Sequence, residues 1–200
     1  MPQPMQARRR SLVGAFCVLP LVLARGVHAQ DKPRDDSGDG GPYVPTPMVI
    51  VERMLELARV RRDDVVADLG SGDGRLVIEA ARRYGARGFG IEREERLVGF
   101  ARDAAAQARV AGLASFRQGD LFDADLRSAT VVTLYLLPRL LVRLAPKLQA
   151  ELAPGARVVS HDYPIEAWKP ERTLEFDVPE KEAQMLPPQT KLYLYTIRRS

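Results

Sequence analysis

At 200 residues, 46% of them apolar, the chain can bury one sizeable core but not two of ordinary size, so a single site is expected. Its formal net charge of +4 is unevenly placed: Arg8, Arg9, Arg10 and Arg25 precede residue 30 without an acid among them, and setting those four aside leaves 26 basic against 26 acidic residues. A balanced remainder lacks the electrostatic footprint of nucleic-acid binding, and no nucleic-acid partner is expected.

In chain order, the basic stretch Arg8 to Arg10 leads into an apolar run over residues 12–24, and Val27-His28-Ala29 has the small-x-small form of a cleavage site. Residues 1–29 therefore read as a signal peptide, which places the protein outside the cytoplasm, in the periplasm, or in the cytoplasm if the signal does not function. The run is shorter than the ~20 residues that span a bilayer, so no stable membrane span is expected after cleavage. Arg9-Arg10-Ser11-Leu12-Val13 fits a twin-arginine signal and a general secretory signal alike. The one cysteine, Cys17, lies inside the apolar run, so the mature chain has neither a disulfide nor a thiolate metal site. Residues 30–42, charged and rich in Gly and Asp, read as a flexible linker, and a folded domain is expected over 43–200.

Thr46 is placed to cap a helix with Pro47 at its first position, followed by Val49, Ile50, Met54, Leu57 and Ala58 at helical spacing. Strand 65–69 ends in Asp68 and a glycine-rich turn, after which Leu76, Val77, Ala80 and Ala81 mark a helix. Strand 88–91, helix 94–111, strand 115–118 and strand 130–136 follow. Leu140, Leu141, Leu144 and Leu148 then mark a helix, and strand 156–160 comes after Pro154-Gly155. Segments 173–177 and 191–197 read as two strands with no helix-length segment between them, hence an antiparallel pair. The alternation predicts an α/β fold, doubly wound around a mostly parallel seven-stranded sheet, with an antiparallel C-terminal hairpin.

The central motif is Asp68-Leu69-Gly70-Ser71-Gly72-Asp73-Gly74, at the carboxyl end of the first strand, where such sheets bind ligands. Its glycines allow a sharp turn and a close backbone approach to a ligand. A dinucleotide loop would read G-x-G-x-x-G, but Arg75 stands where its last glycine would be. Asp68 and Asp73 add negative charge, unfavourable beside a pyrophosphate and suited to a cationic nucleoside. Glu92, after the second strand and about 20 residues beyond the glycines, is placed to accept hydrogen bonds from ribose hydroxyls. Asp120 follows the third strand, with Leu121 and Phe122 beside it as apolar walls.

Three segments narrow the reading: Tyr43-Val44-Pro45-Thr46-Pro47, the loop Asp68 to Gly74 with Arg75, and Leu134-Tyr135-Leu136-Leu137-Pro138. Together with Ser160-His161-Asp162 and Trp168 they resemble the class I, seven-strand S-adenosylmethionine-dependent methyltransferases. Within that class they resemble the bacterial branch of the protein-lysine methyltransferases related to the enzymes that modify the ATP synthase c-subunit and the adenine nucleotide translocase. The resemblance implies S-adenosylmethionine as cofactor, held by Asp68, Gly70, Ser71, Gly72, Asp73, Gly74, Glu92, Asp120 and Leu121, with Asp120 accepting from the adenine amino group. It implies a protein substrate, a membrane protein among the options, with a small-molecule acceptor and a non-catalytic exported protein as alternatives. The Asn-Pro-Pro-Tyr-type motif of many amine methyltransferases is absent, which leaves Tyr135 to line an acceptor channel with Tyr43 and Pro138, its ring facing the methylsulfonium. A lysine must lose its proton first, at a cost of ~4 kcal/mol at neutral pH for a free pKa of ~10.4, so an apolar site is expected. His161 and Asp162 are the nearest candidates for a base, and Tyr135 and His161 the candidate catalytic residues. No metal site is expected.

Overall fold

Seven strands form one sheet in the order β3-β2-β1-β4-β5-β7-β6. They are β1 (Val65–Leu69), β2 (Arg87–Glu92), β3 (Ala114–Gln118), β4 (Val131–Leu134), β5 (Arg157–His161), β6 (Arg172–Asp177) and β7 (Gln189–Thr196). The structure, a computed structural model, describes residues 1, 41 and 43–198, so the expected signal segment and linker lie outside the described residues except for Met1 and Gly41. Pairing is parallel from β3 through β5 and antiparallel for β5 with β7 and β6 with β7, which is the expected layout.

The central strands read as continuous apolar runs because both their faces are covered, as in parallel sheets generally. Every residue of β4 is buried. One core joins Leu69, Leu134 and Val158 to Leu140, Leu141, Leu144 and Leu148 of α4 (Pro138–Glu151). A second joins Val66, Val131 and Val159 to Ile50, Met54 and Leu55 of α1 (Met48–Leu57) and to α2 (Arg75–Tyr84). A third sets α3 (Glu95–Gln107) against Phe116 of β3. No helix among the described residues is long and apolar enough to cross a membrane.

Four local expectations need correction. Thr46 does not cap α1: Pro47 is the N-cap and no side chain caps the end. The carbonyl of Thr46 instead accepts a 2.6 Å bond from the Arg75 guanidinium, a tertiary contact that fixes the chain's approach to the helix. β4 stops at Leu134 rather than at 136, because Pro138 opens α4 and holds Leu137 before it in extended backbone. That shortening leaves Tyr135 just past the carboxyl end of β4, not within the strand. Helix 94–111 is confined to α3, since Arg109 turns into left-handed backbone at φ 59°. Finally, a 3₁₀ segment, Pro179–Gln184, lies between β6 and β7, making the hairpin connection a folded element.

The amino ends of the central strands, away from the glycine loop, are tied by Asp64. Its carboxylate accepts from Thr130 Oγ1 at 2.6 Å, from the Arg61 N–H at 2.7 Å and from the Arg157 guanidinium. These donors outweigh burial and hold the Asp64 carboxyl below its ordinary range. Asp64→Ala strands a partly buried guanidinium, and urea denaturation should report a loss of about 3 kcal/mol. The Asp64 contribution is full above the unfolded carboxyl pKa and disappears as pH falls through the lower folded one.

Candidate active site

β1 lies between β2 and β4, so the chain leaves it toward one side of the sheet and later returns on the other. Such a switch point opens a crevice at the carboxyl ends of the strands. Asp68, Glu92, Tyr135 and His161 stand at the carboxyl ends of β1, β2, β4 and β5 or just past them.

The glycine loop is anchored to β2 by the N–H groups of Gly70 and Ser71, which both donate to the Ile91 carbonyl, at 2.9 and 3.0 Å. At Gly72 a Cβ would lie 2.4 Å from the Tyr43 ring, and at Gly74, with φ 80°, 2.6 Å from the Phe116 ring. The loop is therefore packed on both sides by aromatic rings that leave no room for a side chain. Ser71 Oγ is buried without a hydrogen-bond partner. An orphaned hydroxyl inside a backbone cradle fits a polar ligand seated on the loop.

Three acids surround the loop, and they are not equivalent. Asp68 is buried, with Thr133 Oγ1 donating to it at 2.7 Å. Burial pushes its carboxyl up to about 7, Thr133 opposing and the charges of Glu92 and Asp73 adding to the rise. The Asp73 carboxylate is engaged by Arg75, whose Nε donates at 2.9 Å. Against burial, that guanidinium holds Asp73 below the usual carboxylate range. The negative charge that Asp73 brings to the loop is offset by Arg75, the residue standing where a dinucleotide loop has its last glycine. Glu92 accepts from the Gly72 N–H at 2.8 Å through one oxygen and from the Arg93 and Glu94 N–H groups, at 2.7 and 3.0 Å, through the other. Asp120 caps a short 3₁₀ turn, Leu121–Asp123, by accepting from the Phe122 N–H at 2.9 Å, and it pairs with Arg93 at 3.2 Å. Leu121 and Phe122 pack on the main core.

On the other side of the loop, Tyr135 and His161 lie ring against ring with centroids 4.0 Å apart. Burial pushes the Tyr135 phenol up to about 12, with help from Asp162 and Tyr163, so it keeps its proton. His161 is buried and neither ring nitrogen has a partner; its Nε2 is 3.4 Å from Asp162 Oδ2 without making a hydrogen bond. Burial pulls its pKa down to about 4, Asp162 opposing and Lys181 assisting. Pro138, expected on the acceptor channel, begins α4 and is exposed. Tyr43, expected on the acceptor channel, is found against the glycine loop at Gly72, and its phenol is pushed up to about 12 by burial and by Asp73.

Sequence reasoning missed Lys181, buried at 2% exposure with its ammonium 2.7 Å from Asp162 Oδ2. Nothing in Pro179-Glu180-Lys181-Glu182 sets this lysine apart from a solvated charge, since no apolar period marks the segment. Among the described residues no group of three or more His, Cys, Asp or Glu is placed to hold a metal ion.

The arrangement matches known proteins closely. A family model, the ANTKMT methyltransferase domain, matches residues 68–172. A protein-lysine N-methyltransferase of Saccharolobus islandicus is 45% identical over 141 residues, 68% of this chain and 85% of that protein. The mouse adenine nucleotide translocase lysine N-methyltransferase is 43% identical over 130 residues, 64% of this chain and 56% of that protein, so the chain spans little more than half of its length. Among solved structures, an RNA methyltransferase from Salinibacter ruber in complex with S-adenosyl-L-homocysteine is 52% identical with a TM-score of 0.71, covering 78% of this chain and 95% of that one. The chain belongs to the ANTKMT methyltransferase domain family and is an S-adenosylmethionine-dependent methyltransferase.

Proposed function

We propose that the protein methylates the side-chain amine of a lysine in a protein substrate. The observation that carries this reading is the uncharged aromatic pair of Tyr135 and buried His161, a surrounding that favours a neutral amine over a charged one. The two named lysine methyltransferases that resemble the chain support it.

When bound, S-adenosylmethionine supplies a methyl group on a cationic sulfur. The chain's own residues bind and align. Asp68 would present a buried carboxylate to the cation, and the loop Gly70 to Gly74, held in place by Tyr43 and Phe116, would form the cradle for it. Glu92 and Asp120 retain lone pairs for ribose hydroxyls and the adenine amine. Around the acceptor, desolvation by Tyr135 and His161 favours the neutral amine. With a pKa of about 4, His161 is too weak a base to store a lysine proton at neutral pH, and we assign it no base role. Its unpartnered nitrogen instead accepts an N–H of the amine and aims the lone pair, and alignment is most of what this displacement needs.

Incubating the purified chain with tritiated S-adenosylmethionine and a membrane-protein fraction tests the proposal. Label should enter protein as methyl-lysine in peptide maps; label only in low-mass products or RNA would overturn it. Export through residues 1–29 belongs to the same proposal, and fractionation should then recover a shortened chain from the periplasm.

A further inference from the structure

Lys181 carries a charge into the protein interior, yet the reaction outlined above gives it no task. Its ammonium has three N–H donors, and all three are used: on Asp162 Oδ2 at 2.7 Å, on the Gln189 carbonyl at 2.9 Å and on Thr190 Oγ1 at 3.1 Å. None is left for a substrate, so any role must pass through a partner. That partner is Asp162, held in left-handed backbone at φ 60°, with its N–H donating to the Lys191 carbonyl at 2.7 Å and its Oδ1 accepting from the Lys191 N–H at 3.2 Å. The same Asp162 Oδ2 that takes the Lys181 proton donor is 3.4 Å from His161 Nε2. The 3₁₀ segment between β6 and β7 therefore delivers a positive charge behind the carboxylate that faces the unpartnered imidazole.

We propose that Lys181 is a positioning residue of the acceptor site: it pins Asp162 and offsets that carboxylate's charge, so that His161 stays an uncharged hydrogen-bond acceptor for the incoming amine. Without Lys181, Asp162 would stand beside the imidazole as an unopposed anion and draw a proton onto it. A protonated His161 has no lone pair to accept an N–H and repels a cationic lysine. The groups facing His161 are Asp162 directly after its strand, Lys181 on the 3₁₀ segment and the uncharged Tyr135 phenol between β4 and α4. Lys181 assists burial in keeping the imidazole neutral, and Asp162 opposes it. The inference rests on the acceptor-side reading above.

The test is a ¹³C titration of the histidine Cε1 resonances in the full chain saturated with S-adenosylhomocysteine. The chain has two histidines, His28 and His161, and His161→Gln assigns the signal. In the native chain the His161 resonance should not move above pH 5, following its pKa of about 4. In Lys181→Gln, which keeps hydrogen-bonding capacity without charge, its midpoint should rise by about one to two units. In Lys181→Gln combined with Asp162→Asn it should fall back, because both charges are gone. Lys181→Met serves equally if the glutamine variant does not fold. Label transfer to protein by Lys181→Gln should drop several-fold at pH 6 and recover by pH 8.5. A native-like His161 titration in the single variant, or an unreversed shift in the double one, overturns the inference and leaves the lysine acceptor standing. A shifted titration with an unchanged pH profile of transfer also overturns it, by removing His161 from the acceptor.

Discussion

Gly74→Ala should destabilise the protein by about 3 kcal/mol and abolish cofactor binding under conditions where the native chain is saturated. Two costs act together at this position. The backbone sits at φ 80°, a region that penalises any residue with a Cβ by about 1–3 kcal/mol. The added methyl would also lie 2.6 Å from the Phe116 ring and 2.8 Å from Ala101 Cβ, both buried in the layer between α3 and β3, and overpacking there costs about 1–3 kcal/mol more. Relief would have to come from moving the start of α2, which carries the loop. Gly99→Ala in α3 is the control, since its new methyl meets nothing within 4 Å and an alanine favours a helix by up to about 1 kcal/mol. Urea unfolding of both variants measures the contrast. Equal stabilities would mean that the loop is not packed as described.

Asp68→Asn should weaken S-adenosylmethionine binding about a hundredfold, while the fold tolerates it. The amide has the shape of the carboxyl and can keep the Thr133 contact, so packing is preserved. What is lost is the charge. A charged hydrogen bond or ion contact in a dry site is worth about 1.5–3 kcal/mol, and the upper part of that range corresponds to a hundredfold. Without a cation, the native carboxyl is a burden on folding: its pKa of about 7 lies above the unfolded value, so the native state holds the proton more tightly. Stability of the ligand-free protein therefore falls as pH rises from about 4 to 7, and the asparagine variant should lack that part of the slope. Calorimetry with cofactor reads the first effect and thermal unfolding across pH the second.

Why the fold was legible and parts of the site were not follows from what each depends on. Strands β1, β4 and β5 announce themselves because burial on both faces forces uninterrupted runs such as Val65-Val66-Ala67 and Val131-Val132. The glycine loop was equally plain, since only glycine fits against Tyr43 at residue 72 and Phe116 at residue 74. Partnerships made across long stretches of chain were invisible. Arg75 reaches back 29 residues to the Thr46 carbonyl, and it disarms Asp73, which by composition alone counted as loop charge. Tyr135 has the apolar flanks of a strand residue, and only the start of α4 at Pro138 sets it outside β4. Lys181 joined the site only through the pairing of β7 with β5, which sets His161 opposite Leu192 and carries the preceding segment to the same edge.

The account turns on a buried, reluctantly ionised Asp68 that a cationic nucleoside finds and charges. Calorimetric titration of the native chain with S-adenosylmethionine at pH 6 and pH 8 addresses this most directly. For a single carboxyl of pKa about 7 that must be ionised to bind, affinity should rise about tenfold between the two, with proton release at the lower pH. An affinity that is flat across this interval, or heat of binding with no dependence on buffer ionisation at pH 6, would contradict it.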